Sequence, residues 1–440
     1  MKNITSLATP PINGAIHIIR MTGPNVFEII NKISSKIIER KGHTIKKTNL
    51  IQGNKIIDQV LLMLYVGPNS YTGEDLIEIN SHGNILIANQ ILNLLLVNGC
   101  EIAKRGEFTK IAFLNNKIDI SQAISINQIS TTPSLLVKDI SMNNLLGKAK
   151  NIFKDWRDKI FNIIGNIEVS IDYPEYDDIE EISIRKIMKI SQEINLMCKQ
   201  IIENYLKYKF IFNGIDVAII GKPNVGKSTL LNKLLSNDRA IVSDMSGTTR
   251  DYIKESIINN GIKYNLIDTA GIRKSSNKIE KMGISKTEEI LNSASIIIYV
   301  VDGSKTLEKA DYDILEKIKN KNFIKVNSKK DLGKFYKNVS EISIGKNDAP
   351  DLIFSEIEKN LKINNLEYDN IFISSQIEFN FLLSIKNYCE EIIEILKNNA
   401  PIDLAIEVIK LLFEDIKSLL GESLNYEIID EIFDNFCLGK

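Results

Sequence analysis

The chain has 440 residues, 44% hydrophobic and 25% charged, with a formal net charge of -1. That length suggests two or three domains with sizeable cores, and near-neutrality excludes a general polyanion binder, so any nucleic-acid contact has to use a local patch. Cys100, Cys198, Cys389 and Cys437 form no C-x-x-C pair, which fits a reducing cytosol and argues against a disulfide framework or a zinc site. The start, Met1-Lys2-Asn3-Ile4-Thr5, leads into no apolar signal region. Ala15 to Arg20 and Val60 to Val66 are β-rich runs ended by Thr22-Gly23-Pro24 and Gly67-Pro68-Asn69. Ser70 to Asp75 has turn composition before the strand-like Leu76 to Ile79. Ile85 to Val97, interrupted by Asn89, Gln90 and Asn93, reads as a packed helix too short and too polar to span a bilayer. Residues 1–117 are therefore expected to form an α+β domain.

From about residue 118 the period becomes helical. Phe153, Trp156, Ile160, Ile164 and Ile167 share one face, then Ile187, Ile190, Ile194, Cys198, Ile201 and Tyr205 another. Asp172-Tyr173-Pro174-Glu175 separates the two runs. The pattern changes again at Gly214: Asp216 to Ile220, Tyr252 to Ile258, Ile262 to Ile267 and Ser295 to Val301 read as strands alternating with helices, the hallmark of a doubly wound sheet. Asn259-Asn260-Gly261 between the second and third is a hairpin signal. The helical period returns after about residue 370, with Phe381, Ile385, Tyr388, Ile392 and Leu396 on one face and Ala405, Val408, Leu411 and Leu412 on another. The expected architecture is an N-terminal α+β domain (1–117), a helical domain in two parts (118–212 and 366–440), and a P-loop α/β domain (213–365) inserted between them.

Gly221-Lys222-Pro223-Asn224-Val225-Gly226-Lys227-Ser228 fits G-x-x-x-x-G-K-[ST] between a strand and the apolar helix Thr229 to Leu235. Its glycines let backbone N–H groups wrap phosphates, and the helix N-terminus adds its positive end. Lys227 is expected on the β- and γ-phosphates and Ser228 on Mg²⁺. Asp268-Thr269-Ala270-Gly271 fits the D-x-x-G element, with Asp268 near Mg²⁺ and the Gly271 N–H near the γ-phosphate. Gly247-Thr248-Thr249-Arg250 stands where a switch loop belongs. Ser328-Lys329-Lys330-Asp331 stands where N-K-x-D reads the base. Asp331 can accept guanine N1–H and N2–H together, a pattern adenine lacks, so the set implies a GTPase and excludes an ATPase.

Three positions depart from the usual set. Ser328 replaces Asn, which weakens one base-side hydrogen bond. Ser343-Ile344-Gly345 replaces the usual Ser-Ala-Lys loop. Ile272 occupies the place of a water-orienting Gln and cannot orient water.

These residues, with Ala8-Thr9-Pro10-Pro11, Gly67 to Asp75, Gly106-Glu107-Phe108-Thr109, Ala112-Phe113-Leu114-Asn115, the switch segment Asp244 to Asp251 and the ending Phe436-Cys437-Leu438-Gly439-Lys440, resemble the MnmE (TrmE) family of tRNA modification GTPases. The likeness covers essentially the whole length, and the cysteine tail is its most specific part. It implies a cytoplasmic homodimer, with no membrane association, that works with the FAD-dependent protein MnmG as a heterotetramer. Together the two install a (carboxymethyl)aminomethyl-type group on carbon 5 of the wobble uridine of certain tRNAs. The one-carbon unit comes from 5-formyltetrahydrofolate or a related tetrahydrofolate.

The resemblance also implies residue roles. Arg20, Glu78, Lys117 and Lys440 would contact folate. Asn224, Ser243, Met245 and Thr248 would hold K⁺, while Ser228 and Thr249 would hold Mg²⁺. The GTP-contacting set would be Asn224, Val225, Gly226, Lys227, Ser228, Thr229, Ser243, Asp244, Met245, Ser246, Gly247, Thr248, Thr249, Asp268, Thr269, Ala270, Gly271, Ser328, Lys329 and Asp331. Glu280 would position the water in place of Ile272, and Cys437 would take part in the modification chemistry. The stretch Ile12-Asn13-Gly14-Ala15-Ile16-His17 departs from the family's glycine-rich loop. The competing reading is a GTPase that acts only as an assembly or ribosome-binding switch, which would need neither the tail nor the folate residues.

Overall fold

The computed structural model describes every residue except 1, 173–176, 236–240, 243–253, 269–289, 333–341, 346–347, 349, 362, 364–370, 399–401, 425–428, 431, 434–435, 437–438 and 440, and describes only the backbone of 169–172, 177–183, 241–242, 254, 268 and 403. Two compact units emerge: Met1–Ser130, Ser141–Ile202 and Ser375–Lys440 form one, Thr131–Ile140 and Glu203–Ser374 the other.

The first unit opens on a six-stranded sheet of β1 (Ile4–Leu7), β2 (Ile16–Thr22), β3 (Thr44–Gln52), β4 (Lys55–Tyr65), β5 (Leu76–His82) and β6 (Glu101–Ile102), in the order β3-β4-β5-β2-β1-β6. Alternation sets its two faces. Ile19, Met21, Leu62, Ile77 and Ile79 point into a core closed by helices α1 (Val26–Ile33) and α2 (Ile85–Val97). Arg20 and Glu78, directly paired in register across β2 and β5, belong to the opposite set. Helix α3 (Glu107–Leu114) follows.

Helices α4 (Ile120–Thr131), α5 (Leu135–Leu145), α6 (Lys148–Asp172) and α7 (Asp177–Asn213) come next. The expected faces hold with local corrections. In α6, Phe153, Trp156, Ile160 and Ile167 are buried as expected, but Ile163 is buried and Ile164 only half-buried. In the helix Gln376–Lys397 the buried stripe is Leu382, Ile385, Cys389, Ile392 and Leu396, so Phe381 and Tyr388 lie at its margin. In the helix Ile402–Leu419, Leu411 is 52% exposed, while Ile409 and Ile416 are buried. Each sequence offers two adjacent apolar stripes, and tertiary contact rather than periodicity selects one. The helices before and after the nucleotide domain pack together: Lys199 Nζ is 3.0 Å from Glu390 Oε1. Burial raises the Cys198 thiol pKa and pushes that of Cys389 up to about 12, which leaves both as inert core residues. No helix among the described residues is long and apolar enough to cross a membrane.

The C-terminal segment folds back onto the N-terminal domain. Ile429, Ile432, Phe433 and Phe436 share a core with Phe113, Ile120 and Ala123. Gly421, at φ 79°, makes this possible: a Cβ there would meet Phe113 Cε2 at 2.3 Å.

The second unit holds a seven-stranded sheet. Its strands are β7 (Ile215–Ile220), β8 (Ile241–Val242), β9 (Lys254–Asn259), β10 (Ile262–Asp268), β11 (Ile296–Asp302), β12 (Phe323–Ser328) and β13 (Ile342–Ser343), in the order β13-β12-β11-β7-β10-β9-β8. All pairings from β10 to β13 through β7 are parallel, and β8 and β9 add an antiparallel edge. Along β11, Ile296, Ile298 and Val300 enter one core while Ile297, Tyr299 and Val301 enter the other, as a sheet covered on both faces requires. The β9–β10 turn has Asn260 at φ 50° and Gly261 at φ 76°, the left-handed pair that a two-residue hairpin loop uses.

Asp119 precedes α4. Its Oδ1 accepts from the Gln122 N–H at 2.8 Å, but its buried Oδ2 has no hydrogen-bond partner among the described residues. Burial raises the carboxyl pKa to about 6, helped by nearby Glu378 and opposed by the Gln122 N–H and Lys150. Unfolded, an Asp ionises near pH 3.9. The folded chain therefore holds the extra proton between about pH 4 and 6, and stability falls as pH rises through that window. Asp119→Asn keeps the acceptor and removes the charge. It should raise the melting temperature near pH 7.5 and change it little near pH 4.5 in calorimetry; an equal shift at both would refute the assignment.

Candidate functional site

Strand β7 ends at Gly221, where the chain must turn sharply. Gly221 has φ 153°, Asn224 62° and Gly226 101°. A Cβ on Gly221 would lie 2.3 Å from the Val300 carbonyl oxygen of β11, so only glycine allows this path. The loop leads into α8 (Lys227–Leu235), which begins with Lys227, Ser228 and Thr229. Lys227 is buried, and its Nζ donates to the carbonyls of Gly221 at 2.9 Å and Lys222 at 2.6 Å. An ammonium curled over a loop of backbone amides at a helix N-terminus is the donor set that a polyphosphate needs.

Two further contacts fix the loop. Lys222 Nζ lies 2.6 Å from Asp311 Oδ2 and 3.1 Å from Glu308 Oε2, at the start of α9 (Lys309–Ile318). Asp311 also accepts from Tyr299 Oη at 3.1 Å and the Glu308 N–H at 2.9 Å. Burial opposes its ionisation, but Lys222 and these donors outweigh it and hold the carboxyl below the usual range. A cleft of about 310 Å³ opens here, lined by Asn224, Asp302, Lys305 and Lys329 among others.

The second contact comes from the end of β12. Ser328 Oγ lies 2.5 Å from the Val225 carbonyl oxygen and 3.0 Å from that of Val301. Lys329, in the left-handed region at φ 60°, places Nζ 2.6 Å from Asp302 Oδ2. Burial works against the Asp302 charge, yet Lys329 and Ser304 prevail and hold its pKa at about 2. The segment at Ser343, Ile344 and Gly345 comes beside Asp331: a Cβ on Gly345 would lie 3.6 Å from Asp331 Oδ1. Asp348 Oδ2 accepts from the Gly345 N–H at 3.0 Å, and Lys233 of α8 donates to the carbonyls of Gly345 and Asp348. Val225, Gly226, Lys227, Ser328, Lys329 and Asp331 thus gather at the carboxyl ends of β7, β11 and β12, where doubly wound sheets bind ligands. Asp268 ends β10, parallel to β7. The expected positions Ser243, Asp244, Met245, Ser246, Gly247, Thr248, Thr249, Thr269, Ala270, Gly271, Ile272 and Glu280 lie outside the described residues.

A second constellation sits on the open face of the N-terminal sheet. Arg20 donates from Nε to Glu78 Oε1 at 2.8 Å and from Nη1 to the Gly439 carbonyl at 3.3 Å. Side-chain exposures of 21% for Arg20 and 16% for Glu78 leave the pair reachable yet partly desolvated. The Arg20 guanidinium carbon is 5.7 Å from the Tyr71 ring centre and 5.6 Å from that of Phe108. Lys117 Nζ donates to the Pro68 carbonyl at 2.9 Å, and Asn115 Nδ2 to that of Thr72 at 2.7 Å, which fastens the loop carrying Tyr71. The structure therefore brings Arg20 and Glu78 together with Gly439, and seats Lys117 on the adjoining loop. Cys437 and Lys440 lie outside the described residues. His82 is four positions along β5 from Glu78 and is engaged by Asp58, whose Oδ1 is 2.7 Å from its Nδ1. Sequence reasoning missed Tyr71, Phe108, Lys222, Asp302, Asp311 and Asp348. Of these, Lys222, Tyr71 and Phe108 carried a signal, since all three stand inside motifs already singled out.

Comparison with known proteins agrees with this layout. The family model "GTP-binding protein TrmE N-terminus" matches residues 3–117, and "MnmE helical domain" matches residues 120–437. A Malacoplasma penetrans protein named tRNA modification GTPase MnmE is 44% identical over 453 residues, covering 99% of both chains. Proteins of the same name from Mycoplasma genitalium and Staphylococcus aureus are 40% and 32% identical, covering 100% of this chain and 99% and 100% of theirs. With family models matching residues 3–117 and 120–437 and relatives of 32–44% identity spanning the whole chain, the chain belongs to the MnmE family of tRNA modification GTPases.

Proposed function

We propose that this chain hydrolyses GTP in a K⁺-dependent reaction and couples it to modification of the wobble uridine of certain tRNAs at carbon 5. It would work as a homodimer in the cytoplasm with an MnmG-like FAD protein, taking a one-carbon unit from a tetrahydrofolate. The work would be divided among an N-terminal domain (1–117), a helical domain in two parts (118–212 and 366–440) and a GTPase domain (213–365).

Lys227 and the backbone N–H groups of residues 224–228 would hold the phosphates, and Asp331 would read the guanine. Among the described residues no group of three or more His, Cys, Asp or Glu is placed to hold a metal. By the family resemblance Mg²⁺ would rest on Ser228, Thr249 and nucleotide oxygens, a donor set of hydroxyl and phosphate oxygens that suits a hard cation. Asn224, held in the left-handed conformation inside the phosphate loop, offers an amide oxygen of the kind K⁺ accepts, with Ser243, Met245 and Thr248 as its proposed partners. A cation there supplies positive charge as charge builds on the phosphoryl oxygens. Glu280 would orient the attacking water. At the second site, Arg20 and Lys117 offer cations for folate carboxylates, and Glu78 an acceptor for pterin N–H groups. Lys440 would join them, and Cys437 would act in the modification itself.

The observation that carries the coupled reading over a pure switch is the Arg20 bond to Gly439. It sets Gly439, two positions after Cys437 in the sequence, against Arg20 of the Arg20 and Glu78 pair, an arrangement a switch would not need.

Two outcomes follow. In steady-state assays at fixed ionic strength, K⁺ should stimulate GTP hydrolysis and Na⁺ should do so poorly. Asn224→Ala should lose most of that stimulation while still binding nucleotide; equal rates in both salts would remove the cation from the reaction. Cys437→Ser should hydrolyse GTP at a near-normal rate yet leave the wobble uridine unmodified in a deletion strain, read by nucleoside analysis of bulk tRNA. Full modification by that variant would show that the thiol is dispensable.

A further inference from the structure

We infer that Ser328 ties the phosphate loop in place and leaves purine N7 unread, so that guanine is recognised from its Watson–Crick edge alone; this rests on the guanine-binding reading of Asp331.

A serine hydroxyl carries one hydrogen. At Ser328 two carbonyl oxygens compete for it, Val225 in the phosphate loop at 2.5 Å and Val301 at the end of β11 at 3.0 Å. The side chain is held in that position from both sides. A Cβ on Gly226 would lie 3.4 Å from Ser328 Cβ and 3.5 Å from its Oγ, so the residue packs directly against the loop backbone. Its own carbonyl accepts from the Gly303 N–H at 3.0 Å. Purine N7 is an acceptor and needs a donor. The Ser328 hydrogen is committed to the loop, and the next side chain, Lys329, is drawn to Asp302 at 2.6 Å. An Asn at position 328 would differ in the decisive respect: its amide carries two hydrogens, enough for a carbonyl and a base atom together. Serine keeps the tie to the loop and gives up the second donor. Asp331, beside Gly345, is then left to supply guanine specificity.

The test is equilibrium competition on the full chain, with GDP and 7-deaza-GDP each displacing a fluorescent GDP. The wild type should bind the two within about twofold of each other. Ser328→Asn should favour GDP by about fivefold or more, the worth of one ordinary hydrogen bond. Ser328→Ala should keep the ratio near one while releasing GDP about three- to tenfold faster, because the tie to Val225 is gone. A wild-type preference for GDP of about fivefold or more would overturn the inference whatever the variants do. A ratio near one in Ser328→Asn would overturn it as well, by putting N7 beyond the reach of residue 328. If ATP instead displaced the probe as well as GTP, or if Asp331→Asn left guanine preference unchanged, the guanine reading itself would fail, an outcome distinct from either of these.

Discussion

The Gly221 and Val300 contact is backbone against backbone, so no rotamer change could relieve a side chain at 221. The neighbouring strand β11 thus dictates how the chain leaves β7. Everything at the nucleotide site inherits that exit: the curl of Lys227 over its own loop, the packing of Ser328 on Gly226, and the reach of Lys222 to Asp311. A loop forced through one opening and held on both sides presents its amides without rearrangement, and preorganised donors are what a phosphoryl-transfer site needs.

The same device recurs in both constellations. Asp302 holds Lys329, Asp311 holds Lys222, Asp348 holds the Gly345 amide, and Glu78 holds Arg20. Such pairs contribute little net stability, because desolvation offsets most of their attraction. Their value is positional. Each fixes a cation or a backbone segment that the apolar core beneath cannot grip, and each leaves polar atoms at the surface where a charged ligand would arrive.

Local signals were legible in the sequence. The phosphate loop, the Asn260-Gly261 turn and the strand β11 are each decided within a few residues, and all three took the expected form. Choices made by tertiary contact were not legible. Leu382 over Phe381, Cys389 over Tyr388 and Ile163 over Ile164 each turn on which of two neighbouring stripes meets a partner helix. The setting of Arg20 was hidden for a different reason. Tyr71, Phe108 and Gly439 reach it from three distant parts of the chain, and no spacing rule links them. Resemblance gave roles to Arg20 and Glu78 but none to the aromatic rings that flank the guanidinium, although both rings stand in its motifs.

Arg20 and Gly439 lie 419 positions apart, and Lys110 and Asp430 lie 320 apart. On a ribosome adding about 5–20 residues per second, Arg20 waits roughly 20–80 s for its distant partner. Throughout that time Phe113 and Ile120 lack the cover of Ile432, Phe433 and Phe436. The N-terminal sheet can complete its own core of Ile19, Leu62 and Ile79 early, but the apolar seam at α3 and α4 stays open until the last segment emerges. Nascent chains of this protein therefore carry a sticky seam late into synthesis. Its closure, and with it the joining of Gly439 to Arg20, waits on the emergence of residues 429–439.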